Sequence, residues 1–401
     1  MNRKTRPVRH RIQEFFETYT RDLKAEDLGR LFTRDTKEAY RFFARHVDVS
    51  SLEGLPWHRR VLAHLRLLFL AFTMKLSPAR RIVYAASLFY AALGLLHLFR
   101  STRGLDAPGG GTVDVPIFPA GTGSFLIALV LMNLLVLLEV ADRLLLKNDL
   151  EIAREIQQAM LPGGLFTAPG VETAGLSRPA NTVGGDFFDI LPLEDGRLAV
   201  AVGDVAGKGS PAALLMALLL AMMRTLVDER LEPAALITRL NVQVCRHAPG
   251  TRFITLFYGV YDRLSGELIY VNAGHTPPLL LRTGRTIDRL NEGGVALGLF
   301  EHSTYVTGRT VLELDQLLAI YSDGITEAEN PAGRPFDEQG LESALLANRN
   351  ESVSAIGAAI VHAVEQYTAD TRLADDLTIL MLRRCAVAAA ATGPNTVGVS
   401  L

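Results

Sequence analysis

The sequence predicts an α+β domain preceded by a helical linker and two transmembrane helices. Two uninterrupted apolar runs ahead of Ala141 predict the membrane helices. After Pro162 the pattern changes to short β-type runs bounded by glycine turns, with two long helical stretches between them, and this predicts the domain. A seven-residue apolar repeat between the two regions predicts the linker.

At 401 residues the chain is longer than one average domain, and its 49% hydrophobic content is locally concentrated. The net charge of -2 gives no basic balance of the kind that would mark a nucleic-acid partner. Cys245 and Cys385 stand far apart without clustered histidines, which argues against a zinc site and a disulfide framework.

Residues 1–78 are basic and helix-patterned, opening with Arg3, Lys4, Arg6, Arg9 and Arg11. No apolar core follows these charges closely enough for a signal peptide, so a cytoplasmic helical region is expected. Residues 79–100 form the first expected span, since Ile82–Phe99 carries no formal charge. Residues 101–122, rich in Gly and Pro, are read as a short extracytoplasmic loop, and 123–141 as the second span, marked only by Asn133 and Glu139. A helical hairpin buried in protein is the other reading of this pair. Lys and Arg crowd the segments outside the two spans and are sparse in the loop. Both termini and the domain are therefore expected on the cytoplasmic side of the inner membrane. Residues 142–162 continue the helix to Pro162. Leu138, Leu145, Ile152 and Ala159 fall on a heptad spacing that suits a homodimeric coiled coil, or else one amphipathic helix packed on its own domain.

The domain, residues 163–385, is organised around Val183–Gly209. Phe187, Phe188 and Ile190 face a second β-type run, Arg197–Val202, and an antiparallel pair would bring Asp186 and Asp204 to one end of a sheet. Helices are expected over Ser210–Val227 and Pro233–Ala248. The first is apolar enough to suggest a third span, but it follows the Asp204 turn directly and contains Arg224, which favours a helix buried in the domain. Strands are expected over Phe253–Tyr261, Glu267–Ala273, Pro278–Arg282, Gln316–Tyr321 and Ile379–Leu382. Two more carboxylate turns border them, at Asp323 and at Asp375 or Asp376. A single Asp beside Gly usually serves only the turn. Four at strand ends of one domain, without competing His or Cys, suit a pair of hard divalent cations, Mg²⁺ or Mn²⁺.

In order, VGGDFFD, GDVAGKG, YVNAGHTPPLLL, YSDGITEAEN and DDLTIL resemble the metal-dependent serine/threonine phosphatases of the PPM (protein phosphatase 2C) superfamily. The closer likeness is to the bacterial branch typified by the sporulation stage II E and sigma-B regulator phosphatases, and EIQQAMLP in the linker is similar too. The resemblance covers roughly Glu151–Arg384. It implies a four-layer α-β-β-α sandwich with metals at one end, held by Asp186, Asp204, Asp323 and Asp375 and by the backbone carbonyl of Val205. Asp376 would stand behind the ligands. The implied chemistry is in-line attack on phosphorus by a water activated between two Mn²⁺ or Mg²⁺ ions, without a covalent enzyme intermediate. The implied substrate is a phosphorylated protein, for instance an anti-sigma-factor antagonist of the STAS type.

The sequence departs from the superfamily in lacking the arginine that eukaryotic members place ahead of the first aspartate to hold phosphate. Arg178 and Lys208 are the nearest cations by sequence, with surface ion pairs as their plainer role. His275 is a candidate proton donor, or else a turn-stabilising residue. GGDFF is similar to a diguanylate cyclase signature but has Phe187 in place of the acidic residue. GDVAGKG fails as a phosphate loop because Val202 and Gly209 occupy required positions. The rival function is a membrane-tethered binding or scaffold module of the same fold without turnover. The tail, 386–401, is rich in small residues and expected to be disordered.

Overall fold

The computed structural model describes residues 76–100, 102–106, 112–116, 121–248, 252–369 and 373–386, with isolated positions 56, 69, 73 and 74. The helical region expected over 1–78 and the tail expected over 386–401 lie almost wholly outside the described residues. The chain divides into two compact units, Met1–Leu144 and Leu145–Leu401.

Helix α1 spans Pro78–Arg100 in the first unit, and α2 spans Thr122–Met160, beginning in the first unit and ending in the second, so the second apolar run and the linker form one helix. Between them, β1 (Thr102–Asp106) and β2 (Thr112–Pro116) pair antiparallel, where only a loop was expected. Arg80 at the start of α1 bonds Glu139 at 3.1 Å and Asp142 at 2.6 Å. Further along, the Ser87 hydroxyl donates to the Ala128 carbonyl at 3.1 Å. A Cβ on Gly94 would meet the Phe125 ring at 3.0 Å, so glycine lets the two helices approach closely. Away from this seam the large side chains are exposed, Ile82 by 71% and Leu137 by 66%. Among the described residues, the helices pack on each other without being buried in protein. Both are long and apolar enough to cross a membrane, as is Ser210–Val227.

The second unit is built on two sheets. In one, β10 (Ile287–Arg289), β9 (Leu279–Leu281), β13 (Leu317–Tyr321), β14 (Leu377–Arg384), β4 (Val171–Arg178) and β3 (Leu165–Ala168) lie side by side in that order. In the other the order is β11 (Gly293–Gly294), β8 (Glu267–Ala273), β7 (Ile254–Tyr261), β6 (Leu198–Val205) and β5 (Phe187–Pro192), with β12 (Gly308–Val311) also on β8. Alternation along each strand divides the core. Leu198, Val200 and Val202 join Leu318, Ile320, Leu380 and Leu382 in a layer between the sheets. Ala199, Ala201 and Val205 face the other way, onto α3 (Ser210–Val227) and α4 (Pro233–His247), meeting Met216, Leu219, Leu220 and Leu236. On the far side, Ala319, Ile379 and Met381 pack on α6 (Asp337–Ala347) and α7 (Val353–Thr368), through Leu341, Ile356 and Ile360.

The result is the α-β-β-α sandwich. The apolar run of α3 is explained by this packing, since Ala212, Leu215, Met216, Leu219, Leu220, Met223 and Val227 are all buried in the domain. The sequence anticipated two long helices. The structure adds α7, whose N-cap Ser352 accepts a hydrogen bond from the Ala355 amide, so both sheets are covered.

Candidate metal centre

The antiparallel register sets Phe187 opposite Gly203, so Asp186, just before β5, and Asp204, near the end of β6, share one end of their sheet. In the other sheet Tyr321 lies opposite Ile379. This brings Asp323, which opens the short helix α5 (Asp323–Thr326), and the Asp375–Asp376 turn to one end as well. The two ends are joined by Asp376. Its Oδ2 accepts from the Gly185 amide at 2.7 Å and the Asp186 amide at 3.5 Å, and its Oδ1 accepts from the Ala180 amide at 2.8 Å. A Cβ on Gly184 would stand 2.3 Å from Asp376 Oδ2, and one on Gly185 2.8 Å from the Val205 carbonyl oxygen. The paired glycines let the loop close onto both. Asp376 therefore clamps backbone and holds Asp186 in place.

Electrostatically, Asp186 and Asp204 pair with no cation among the described residues. Asp186 is 4% exposed, and its Oδ2 is buried without a hydrogen-bond partner. Burial first, then the charge of Asp204, raises its carboxyl well above the ordinary range. Asp204 is pushed up to about 6 by burial, with the charges of Asp323, Asp375 and Asp376 adding to it. Asp323 is raised too, by burial and then by Glu327 and Asp375.

Among the described residues, no three His, Cys, Asp or Glu side chains are grouped closely enough to chelate one ion. Asp375 is paired with Lys208 at 2.9 Å instead. The residues nonetheless fit a hard cation. The donors are carboxylate oxygens with a backbone carbonyl at hand, and an orphaned buried oxygen sits among like charges, an arrangement a divalent ion would stabilise.

The three other sequence candidates divide. Lys208 is at the site, bonding Asp375 and the Ala374 carbonyl, and the Asp375 hydrogen bond raises its pKa. Arg178 pairs with Glu365 of α7, in the surface role anticipated as its alternative. His275 is buried, and its desolvated ring is lowered to about 4, so it is neutral near pH 7 and carries no proton to donate as an imidazolium. It holds the turn: its amide donates to Asn272 Oδ1 at 2.7 Å, and Nδ1 hydrogen-bonds the Thr255 hydroxyl at 3.0 Å.

Sequence reasoning missed Gln157. From α2 its amide donates to the Gly184 carbonyl at 2.7 Å and accepts from the Gly184 amide at 3.2 Å, gripping both backbone groups of one glycine. The EIQQAMLP similarity in the linker, which contains Gln157, was the available signal.

Residues 194–385 match the family Stage II sporulation protein E (SpoIIE). The domain is thus similar to the phosphatase domains of that family. Protein IcfG of Synechocystis sp. is 31% identical over 227 residues, spanning 50% of this chain and 36% of that protein. The phosphoserine phosphatase RsbU of Bacillus subtilis is 28% identical over 243 residues, 60% of this chain and 71% of that protein. The chain therefore spans about a third of the first relative and most of the second. The SiaA-PP2C domain of Pseudomonas aeruginosa superposes with a TM-score of 0.53 at 22% identity, over 61% of this chain and 98% of that domain, and shares the fold.

Proposed function

We propose that the chain is a membrane-anchored, metal-dependent protein phosphatase that hydrolyses phosphoserine or phosphothreonine. The observation that carries this reading is the convergence of Asp186, Asp204, Asp323 and Asp375 from separate chain segments, with Asp186 Oδ2 buried and unpaired. Asp186, Asp204, Asp323, Asp375 and the Val205 carbonyl would hold two Mn²⁺ or Mg²⁺ ions. When bound, such ions supply Lewis acidity for activating water and neutralising phosphoryl charge. The chain's own part is positioning. Asp376 fixes the Gly185–Asp186 backbone, Gln157 fixes Gly184, and Lys208 places a positive charge beside Asp375.

A phosphoserine substrate is supported by the activity named for RsbU and for RsbP of Bacillus subtilis. A phosphorylated anti-sigma-factor antagonist is the candidate partner. Membrane anchoring is supported by the exposed apolar faces of α1 and α2, and a cytoplasmic domain by the Lys and Arg distribution. Heptad residues Leu138, Leu145 and Ile152 are exposed on α2, which favours a homodimer there, and Ile152→Asp should then reduce dimer content. The function is tested by Mn²⁺-dependent hydrolysis of a phosphopeptide by the purified chain. Activity abolished by EDTA and restored by Mn²⁺ is expected. Metal-independent hydrolysis, or none with metal saturating, would refute it.

A further inference from the structure

A site that holds a phosphate ester beside four carboxylates needs a cation that stays available to the phosphate. Lys208 is committed to Asp375, and Arg178 to Glu365. Arg252, distant in sequence from both, is differently placed. Its Nη1 donates to the Ala206 carbonyl at 2.9 Å, two residues past Asp204. The Ala206 amide in turn donates to the Phe253 carbonyl at 3.0 Å, so the residues at 252–253 hold Ala206 through both its backbone groups. Gly207, at φ +106°, follows, and a Cβ there would stand 2.4 Å from Arg252 Nη1. Glycine at this position both adopts the left-handed turn and leaves room for the guanidinium against it.

Arg252 pairs with no carboxylate among the described residues, and its Nε and Nη2 make no hydrogen bond there. An arginine anchored through one nitrogen and left with free donors has the chemistry to grip two oxygens of a phosphoryl group. The strand that follows it is held at its first residue, since Ile254 and Leu297 exchange both backbone hydrogen bonds, at 2.9 and 2.8 Å.

We propose that Arg252 binds the phosphoryl oxygens of the substrate. The proposal rests on the phosphatase reading above. It gives the GDVAGKG turn a second use: Asp204 and Val205 serve the metal side, while Ala206 and Gly207 seat the arginine.

The test compares Arg252→Ala, Arg252→Gln and Arg252→Lys with the wild-type chain. Inorganic phosphate is the probe, measured as a competitive inhibitor of phosphopeptide hydrolysis and, by calorimetry, as a ligand of Mn²⁺-loaded protein. Losing a charge-assisted contact should weaken phosphate about tenfold or more in the Ala and Gln variants, with Lys between. Mn²⁺ affinity should stay within about twofold of wild type. Gln keeps an N–H for the Ala206 carbonyl without the charge. Wild-type phosphate affinity in Arg252→Gln would therefore reduce Arg252 to a turn clamp and overturn the proposal. Unchanged phosphate binding in all three variants, or Mn²⁺ binding lost in step with phosphate, would overturn it too. A wild-type chain that binds Mn²⁺ but neither hydrolyses the peptide nor binds phosphate would instead defeat the phosphatase reading, and this assignment with it.

Discussion

Asp186 and Asp189 stand three residues apart, one just before β5 and the other within it, and both are buried, at 4% and 1% exposure. Their surroundings are opposite. Asp189 receives Arg224 through Nε at 2.8 Å and Nη2 at 3.1 Å, and its Oδ1 also accepts from the Ile190 amide at 3.0 Å. Asp186 faces Asp204 and Asp376, and one of its oxygens has no partner at all. A buried carboxylate with its own arginine is architecture, because charge and hydrogen bonds are satisfied inside the fold. One surrounded by further carboxylates is unfinished without a cation from outside. The same sequence stretch, GGDFFD, supplies both kinds.

The contrast breaks most sharply in activity. Asp204→Asn should reduce phosphopeptide turnover by about a thousandfold or more, because charge stabilisation at the reacting phosphate depends on the ions it would hold. Arg224→Ala should leave turnover per folded molecule near wild type while costing up to about 3 kcal/mol in denaturant unfolding, since it strands the Asp189 charge. If Arg224→Ala abolished turnover in a fully folded protein, the division between the two aspartates would fail.

A pH series sharpens it further. Without metal, the carboxyl of Asp204 titrates near 6 in the folded chain, above the ordinary 3.8. A raised carboxyl pKa stabilises the fold below the unfolded value and gives that stabilisation up as pH rises through about 6. In EDTA, Asp204→Asn should therefore be more stable than wild type at pH 7.5 by about 2 kcal/mol, with the gap closing near pH 4. Saturating Mn²⁺ should reverse the order at pH 7.5. Thermal melts at both pH values check both signs.

The smallest effect is expected at Gln157. Gln157→Ala removes the two bonds to Gly184, and should cost about 1 to 2 kcal/mol and raise the Mn²⁺ concentration for half-maximal activity a few-fold. An unchanged Mn²⁺ requirement would leave Gln157 a purely structural residue.

Much of this was legible from local pattern. Gly-Asp turns at strand ends announce themselves because glycine bounds the strand and aspartate suits the turn. Period-two runs such as LAVAV give β6, and the register with β5 follows from returning the chain on itself. What the sequence could not give are contacts made across the fold. Asp189 looks like Asp186 until Arg224 arrives from α3, and Arg252 is an ordinary arginine until β7 brings it against Gly207. Hydropathy alone failed to separate α3 from α1 and α2, since all three are apolar enough for a bilayer. The separation lies in where the apolar faces end up, in the core for α3 and exposed for Ile82 and Leu137. The edge strands β3, β10, β11 and β12 are too short to show a period of their own.

On the proposed function, Asp186 and Asp204 would hold a divalent cation. Calorimetric titration of the purified chain with Mn²⁺ tests it directly, beside Asp186→Asn and Asp204→Asn. Saturable binding by the wild type is expected, weakened at least about tenfold in each variant. Equal Mn²⁺ affinity in all three proteins would contradict it.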